Sequence, residues 1–288
     1  MTARPVSGVQ SSRGLTGLLL VAVPVLLFAW MTIWPILSGL ARALTPEQAD
    51  GSRPVSFANF VTFFSDPYSL ANLGITLWTC LVTLGLLLAI CIPLALYLRF
   101  AQGRLATYVQ TMAMFPMFVP SIILAFAFIR VLGPNGTVDL LLNAVGLPKI
   151  RSPYLTPWGP VIGLVWDNIP LTVLILVSGL GAVSNQAVEA ARDVGAKPLA
   201  LFWHIILPRM WTSVAVVVSF TMLGLFASFT LPYVLGPASP EMMGPFMQRT
   251  FRDLRNPEMA LTQATVTMLF CIAFGLFYVR AVARNRES

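Results

Sequence analysis

Polar residues are scarce along this chain and fall in clusters, separated by apolar runs long enough to cross a bilayer core of ~30 Å. The first run, Gly14 to Leu40, contains no charged residue. It is about twice as long as the ~7–15-residue core of a signal peptide, so a retained helix is favoured over a leader cleaved near Ala41-Arg42-Ala43. Further runs at 73–98, 105–132, 159–183, 211–235 and 259–279 bring the predicted spans to six. They form a single membrane domain over 14–282, between tails at 1–13 and 283–288. Pro24 and Pro35 are expected to bend the first span, and Pro116 and Pro120, one turn apart, to kink or break the third. Between spans, Thr45 to Ser69 reads as a loop with an interfacial helix at 57–64. The turn signal Pro134-Asn135-Gly136 introduces a short apolar helix over 133–148, expected to lie on the outer surface.

Composition agrees with this pattern and narrows the function classes. The chain is 57% hydrophobic and 10% charged, with a mean hydropathy of +0.80, whereas soluble domains carry about 25% charged residues. The net charge of +7 comes from Lys and Arg scattered between apolar runs, not from a dense basic patch with interleaved aromatics, so it is topogenic and no nucleic-acid partner is expected. Ten of these cations, including Arg4, Arg13, Arg99, Arg104, Arg192, Lys197, Arg209, Arg280, Arg284 and Arg286, fall on one side of the predicted spans; seven fall on the other, with Arg130 near a boundary. That bias places both termini in the cytoplasm. Cys80, Cys91 and Cys271 sit inside apolar runs without metal-ligand spacing and read as packing residues. The two halves of the chain show no similarity, which argues against an inverted-repeat transporter.

One stretch breaks the apolar rhythm: EAARDVGAKPLALFWHIILP at 189–208, between spans four and five. Its local signals predict two short helices joined by a sharp turn. Ser184 or Asn185 caps the first helix, Glu189 complements its dipole and Gly195 ends it. Pro198 opens the second, whose apolar residues Leu199, Phe202, Trp203 and Ile206 recur at helical spacing, and Pro208 marks its end. Amphipathicity alone is compatible with a lipid surface or with a groove on a partner protein.

The spacing is more specific. Glu189-Ala190-Ala191, three residues, Gly195, nine residues, Ile205, one residue, Leu207-Pro208 resembles, without a shift, the EAA motif of the membrane subunits of bacterial ATP-binding-cassette importers. The likeness extends over nearly the whole chain, including MFPMFVPSIILAFAF followed by LGPNGTVDLLLNAVGLP, and is strongest to the first permeases of spermidine/putrescine-type systems. The resemblance implies an all-α polytopic membrane protein with the six-helix type I importer permease fold and a cytoplasmic coupling hairpin over 184–210 between helices four and five. It further implies that Glu189, Ala190, Ala191 and Gly195 dock on a cytoplasmic ATPase, with Ile205, Leu207 and Pro208 seating the hairpin on its own spans. The implied partners are a second permease subunit, two ATPase subunits and a periplasmic or lipid-anchored solute-binding protein. ATP and Mg would be used by the ATPase, with no cofactor bound by this chain. A polyamine is the expected solute; ferric iron, phosphonate and sulfate systems share much of the pattern.

Catalytic chemistry has little to stand on, because no G-x-x-x-x-G-K-[ST] loop and no nucleophile-base constellation is present. The single histidine, His204, lies inside the hairpin and is expected to pack there. Asp167, beside Asn168 in span four, is an ionisable group in a costly place, suited to meeting a cationic solute; a pair with Arg130 or backbone donors is the structural alternative. Ser228, Phe229, Thr230 and Tyr233 around Pro232 offer hydroxyl and aromatic groups for a polar pathway, although such groups also serve helix packing. An ion-coupled secondary transporter and a scaffold that uses the hairpin only for recruitment are the rival classes.

Overall fold

The computed structural model describes residues 11–47, 51–101 and 103–284, all helix, turn and loop. Arg4 in the N-terminal tail and Arg286 in the C-terminal one lie outside the described residues. The helices are α1 (Ser11–Leu44), α2 (Ala58–Ser65), α3 (Pro67–Phe100), α4 (Arg104–Met114), α5 (Ser121–Leu132), α6 (Thr137–Ala144), α7 (Trp158–Leu180), α8 (Asn185–Asp193), α9 (Pro198–Leu201), α10 (Leu207–Phe226), α11 (Thr230–Leu235), α12 (Met243–Arg252) and α13 (Pro257–Arg284). Among the described residues, six helical stretches are long and apolar enough to cross a membrane: Leu20–Leu44, Pro67–Phe100, Ser121–Ala144, Trp158–Leu180, Pro198–Phe226 and Pro257–Arg280.

Two spans depart from the single rods the hydropathy suggests. The third, expected over 105–132, breaks after α4 into a 3₁₀ turn at Phe115–Phe118 before α5 begins at Ser121, and the stretch long and apolar enough to cross there is Ser121–Ala144, which takes in α6, the short helix expected on the outer surface. Here the proline pair acts as expected, since neither proline can donate a helical hydrogen bond. The fifth was expected to run from Trp211 to Leu235, but α10 ends at Phe226 and the chain restarts at Thr230. A helix continuing through this point would press the Pro232 ring against the Ser228 carbonyl. The restart instead places Pro232 in the first turn of α11, where no donor is needed. Gly244, at the start of α12, backs onto the same break so closely that a β-carbon there would sit 2.4 Å from the Ser228 carbonyl oxygen.

The core follows the spans in two main apolar clusters. One joins Leu87, Cys91 and Ala95 of α3 to Val173, Leu176 and Leu180 of α7, and to Met210, Val214 and Val217 of α10. The other gathers Cys80, Leu124, Leu164, Met222, Phe226, Leu231 and Leu235. Cys80 and Cys91 are fully buried in these clusters, as packing residues should be. By contrast, α1 lies along α13, with Gly39 against the Leu261 side chain, and leaves most of its apolar surface uncovered. Such a surface suits hydrocarbon rather than water.

Candidate functional site

The polar island folds into a hairpin whose first arm, α8, is capped as its sequence requires. The Ser184 hydroxyl accepts from the Ala187 amide at 3.3 Å. At the other end Gly195 adopts φ +80°. The Gly195 amide donates to the Arg192 carbonyl at 2.9 Å and the Ala196 amide to the Ala191 carbonyl at 3.0 Å. This pair of bonds is the Schellman arrangement, and its left-handed residue is why glycine stands at 195. Val188 and Ala191 turn inward onto the α3/α7/α10 core, which leaves Glu189 and Ala190 exposed.

The second arm differs from the expected one. Pro208 does not end it; the chain stays helical from Pro198 through α10, passing through a π turn at Phe202–Ile206 in which the Leu207 amide donates to the Phe202 carbonyl. A wider turn before Pro208 relieves the clash its ring would cause in regular α geometry and inserts one extra residue into the helix. That insertion rotates the apolar face. Leu201 and Ile206 are the buried anchors, at 6% and 4% exposure, whereas Leu199 and Trp203 are 70% and 56% exposed. The His204 Nδ1 donates to the Ala200 carbonyl at 3.0 Å, so this histidine serves the hairpin backbone.

Around this hairpin the structure gathers most of the motif. Ala190, Ala191, Ile205 and Pro208 line one cleft of about 500 Å³ between the arms, with His204 and Arg209 at its edge. Ile205 and Leu207 also pack against the buried core. Glu189 faces a different recess, which it shares with Arg99 and Arg192. Val194, 84% exposed, joins Leu199 and Trp203 as uncovered apolar side chains of the hairpin.

The pathway candidates are less unified. Asp167 is half-buried on α7. The alternative pairing with Arg130 does not form: the ion pairs among the described residues are Arg53–Glu47 and Arg249–Glu241. Asn168 spends its Nδ2 donor on the Leu164 carbonyl, 2.8 Å away, within its own helix. Ser228 lies in the α10–α11 break and Thr230 begins α11. Leu231 and Leu235 pack beside Gly163 of α7, so Phe229 and Tyr233, stacked at 5.2 Å, occupy the other side of α11, with Tyr233 exposed. A separate cavity of about 810 Å³, lined by Leu132, Asp139, Arg151 and Trp158 among others, contains none of these residues.

A polar seam went unread in the sequence. Asn72, Thr76, Thr79 and Thr83 are buried along α3. Asn72 Oδ1 accepts from the Glu241 amide and Thr76 Oγ1 from the Met243 amide, each at 2.8 Å. Arg249 pairs with Glu241 at 2.7 Å, hydrogen-bonds the Tyr68 hydroxyl and lies over the Tyr68 ring. Burial pushes the Glu241 carboxyl above its ordinary value, with Arg249 pulling against it. These bonds fasten the segment before α12 to α3. The readable signal was a polar residue every three or four positions inside an apolar span.

A bundle of six spanning helices, with broken third and fifth spans and a helix–glycine turn–helix insertion, is the fold of type I ABC importer permeases. The chain belongs to the binding-protein-dependent transport system inner membrane components, a family whose pattern matches residues 81–287. It is 23% identical over 273 residues to the spermidine/putrescine transport system permease protein PotB of Haemophilus influenzae, covering 91% of this chain and 94% of that one. To the sn-glycerol-3-phosphate transport system permease protein UgpA of Brucella abortus it is 25% identical over 277 residues, covering 92% and 94%. Among solved structures, a chain of the bacterial alginate ABC transporter, in complex with its alginate pentasaccharide-bound periplasmic protein, superposes with a TM-score of 0.76 at 18% identity, covering 94% of each chain. The protein is thus a membrane subunit of an ABC importer, not catalytic by itself, and such a permease works with ATPase and binding-protein partners.

Proposed function

We propose that this chain forms half of an importer's solute pathway, paired with a second, similar permease, and that α8 and its Gly195 turn dock on a cytoplasmic ATPase. The observation carrying this reading is the hairpin itself: Glu189 and Ala190 exposed on one side of α8, Val188 and Ala191 anchored in the span core on the other. A helix built in this way can pass a push from a partner directly into α3, α7 and α10. The hairpin and both termini then face the cytoplasm, in keeping with the distribution of Lys and Arg. ATP and Mg belong to the partner, whose closure biases the permease between inward- and outward-open states.

For the solute we propose a polyamine. The likeness to spermidine/putrescine permeases supports it, but glycerol-phosphate permeases match comparably, so chemistry has to separate the two. Asp167 does so: a half-buried carboxylate in a span favours a cationic solute and repels a phosphate. Calorimetry on the partner binding protein should show spermidine binding and no response to glycerol 3-phosphate. In reconstituted importer, Asp167→Asn should lower spermidine uptake about tenfold, as expected when a charge partner of a cation is lost, while leaving subunit assembly intact. Unchanged uptake removes Asp167 from the pathway; glycerol 3-phosphate binding by the partner removes the polyamine.

A further inference from the structure

Arg99 lies in the last turn of α3, and a cation at the C-terminus of a helix beside the membrane surface has an ordinary explanation in topology and helix dipole. The geometry shows more. Its guanidinium leaves its own helix and reaches the turn that joins α7 to α8, where a single nitrogen, Nη2, donates to Asn185 Oδ1 at 2.9 Å and to the Val183 carbonyl at 3.4 Å. The Phe100 ring lies 5.3 Å below it. Asn185 is the first residue of α8, and Ser184 beside it is the cap. One guanidinium nitrogen therefore holds the backbone just before the cap and the side chain just after it.

Apart from this link, among the described residues α8 meets the spans through apolar contacts, with Val188 and Ala191 as its buried residues. Apolar contacts are non-directional and let a short helix slide or roll. The two N–H bonds of Nη2 are fixed in the guanidinium plane, so they set direction as well as distance. Glu189, one turn further along α8, and Arg192 line the same recess of about 160 Å³, so the docking face of α8 begins where this link ends.

We infer that Arg99 is a positioning residue that locks the N-terminal turn of α8 to α3, so that a displacement imposed on α8 moves α3 with it as one body. This inference rests on the coupling role proposed above for α8. Losing Arg99 should leave docking intact and let α8 move without α3. The charge and the geometry can be separated: Arg99→Lys keeps the cation at the end of α3 and at the membrane boundary but exchanges the in-plane N–H pair of Nη2 for a freely rotating ammonium.

The test uses the assembled importer with spin labels at Tyr97 on α3 and Gln186 on α8, both exposed. Electron–electron distances are measured without nucleotide and with a non-hydrolysable ATP analogue. In the otherwise native complex the distance should be narrow and equal in the two states. With Arg99→Ala or Arg99→Lys the population at that distance should fall about fivefold in the analogue-bound state, while the ATPase still co-purifies. Native distances in Arg99→Ala overturn the inference. Native distances in Arg99→Lys alone overturn it in favour of simple charge. If the ATPase fails to co-purify even with native Arg99, the coupling reading itself fails, a result distinct from either.

Discussion

Gly195 and Asp66 show how much a single position decides and how differently each can be read beforehand. A glycine one residue beyond a short helix is a recognisable stop, and the structure gives it φ +80° with open space where a side chain would go. Backbone conformation is therefore the whole constraint. Gly195→Val should cost about 1–2 kcal/mol and speed hydrogen exchange at the Ala196 amide roughly tenfold, whereas Gly195→Asn, tolerant of the left-handed region, should exchange almost as slowly as the native chain. Asp66 is the cap of α3, accepting from the Tyr68 and Ser69 amides and the Ser69 hydroxyl. The Ser69 hydroxyl, then the Ser69 amide, hold its carboxyl below the ordinary aspartate value. A depressed carboxylate stabilises the fold above its unfolded pKa and ceases to do so as pH falls through the lowered value. Asp66→Ala should thus lower stability by about 1 kcal/mol at neutral pH, and the gap to the native chain should close on acidification. Glu241 has the opposite sign, since burial raises its carboxyl and its ionised form becomes costlier as pH rises; taking the difference between variant and native chain cancels it. Asp66 stood in a loop-like stretch whose capping role depends on where α3 starts, which hydropathy does not mark.

At the scale of elements, what was legible and what was not divide along one physical line. Six spans in number, the short helix at Ala58–Ser65 and the break at Pro116 and Pro120 follow from local hydropathy and proline chemistry, and the structure has them, with the third stretch displaced to Ser121–Ala144 and the fifth to Pro198–Phe226. The break at Ala227–Phe229 and the rotated face of the second hairpin arm do not, because each depends on hydrogen-bond register rather than residue type. Helical spacing counted from Leu199 holds only while every turn has 3.6 residues, and the π turn adds one. The same count explains the seam on α3, whose polar spacing was present but hidden by the apolar average around it. Deleting His204 should convert the π turn to α geometry, rotate α8 and α9 by about 100° relative to α10 and take Leu201 out of the core. Such a chain should still insert and fold its spans, yet fail to retain an ATPase on purification. Retention would mean that the register of the second arm does not aim the docking face.

For the whole molecule, family membership settles the class of machine and excludes the secondary-transporter reading, while the solute remains a matter for the site and the binding protein. The fold concentrates its buried contacts between α3, α7 and α10 and seats the hairpin on that same cluster. A force arriving at α8 therefore has a packed route into three spans, whereas α1 stands along the outside against α13. The central claim is that this hairpin connects the permease to its motor. The most direct measurement is ATP-driven uptake, together with ATPase co-purification, by the reconstituted importer carrying Glu189→Lys, a charge reversal on the exposed side of α8. The account predicts that the permease pair still assembles but retains the ATPase at least about tenfold more weakly and loses uptake in proportion. Native uptake with the ATPase fully retained, or uptake that persists when the ATPase is absent, would contradict it.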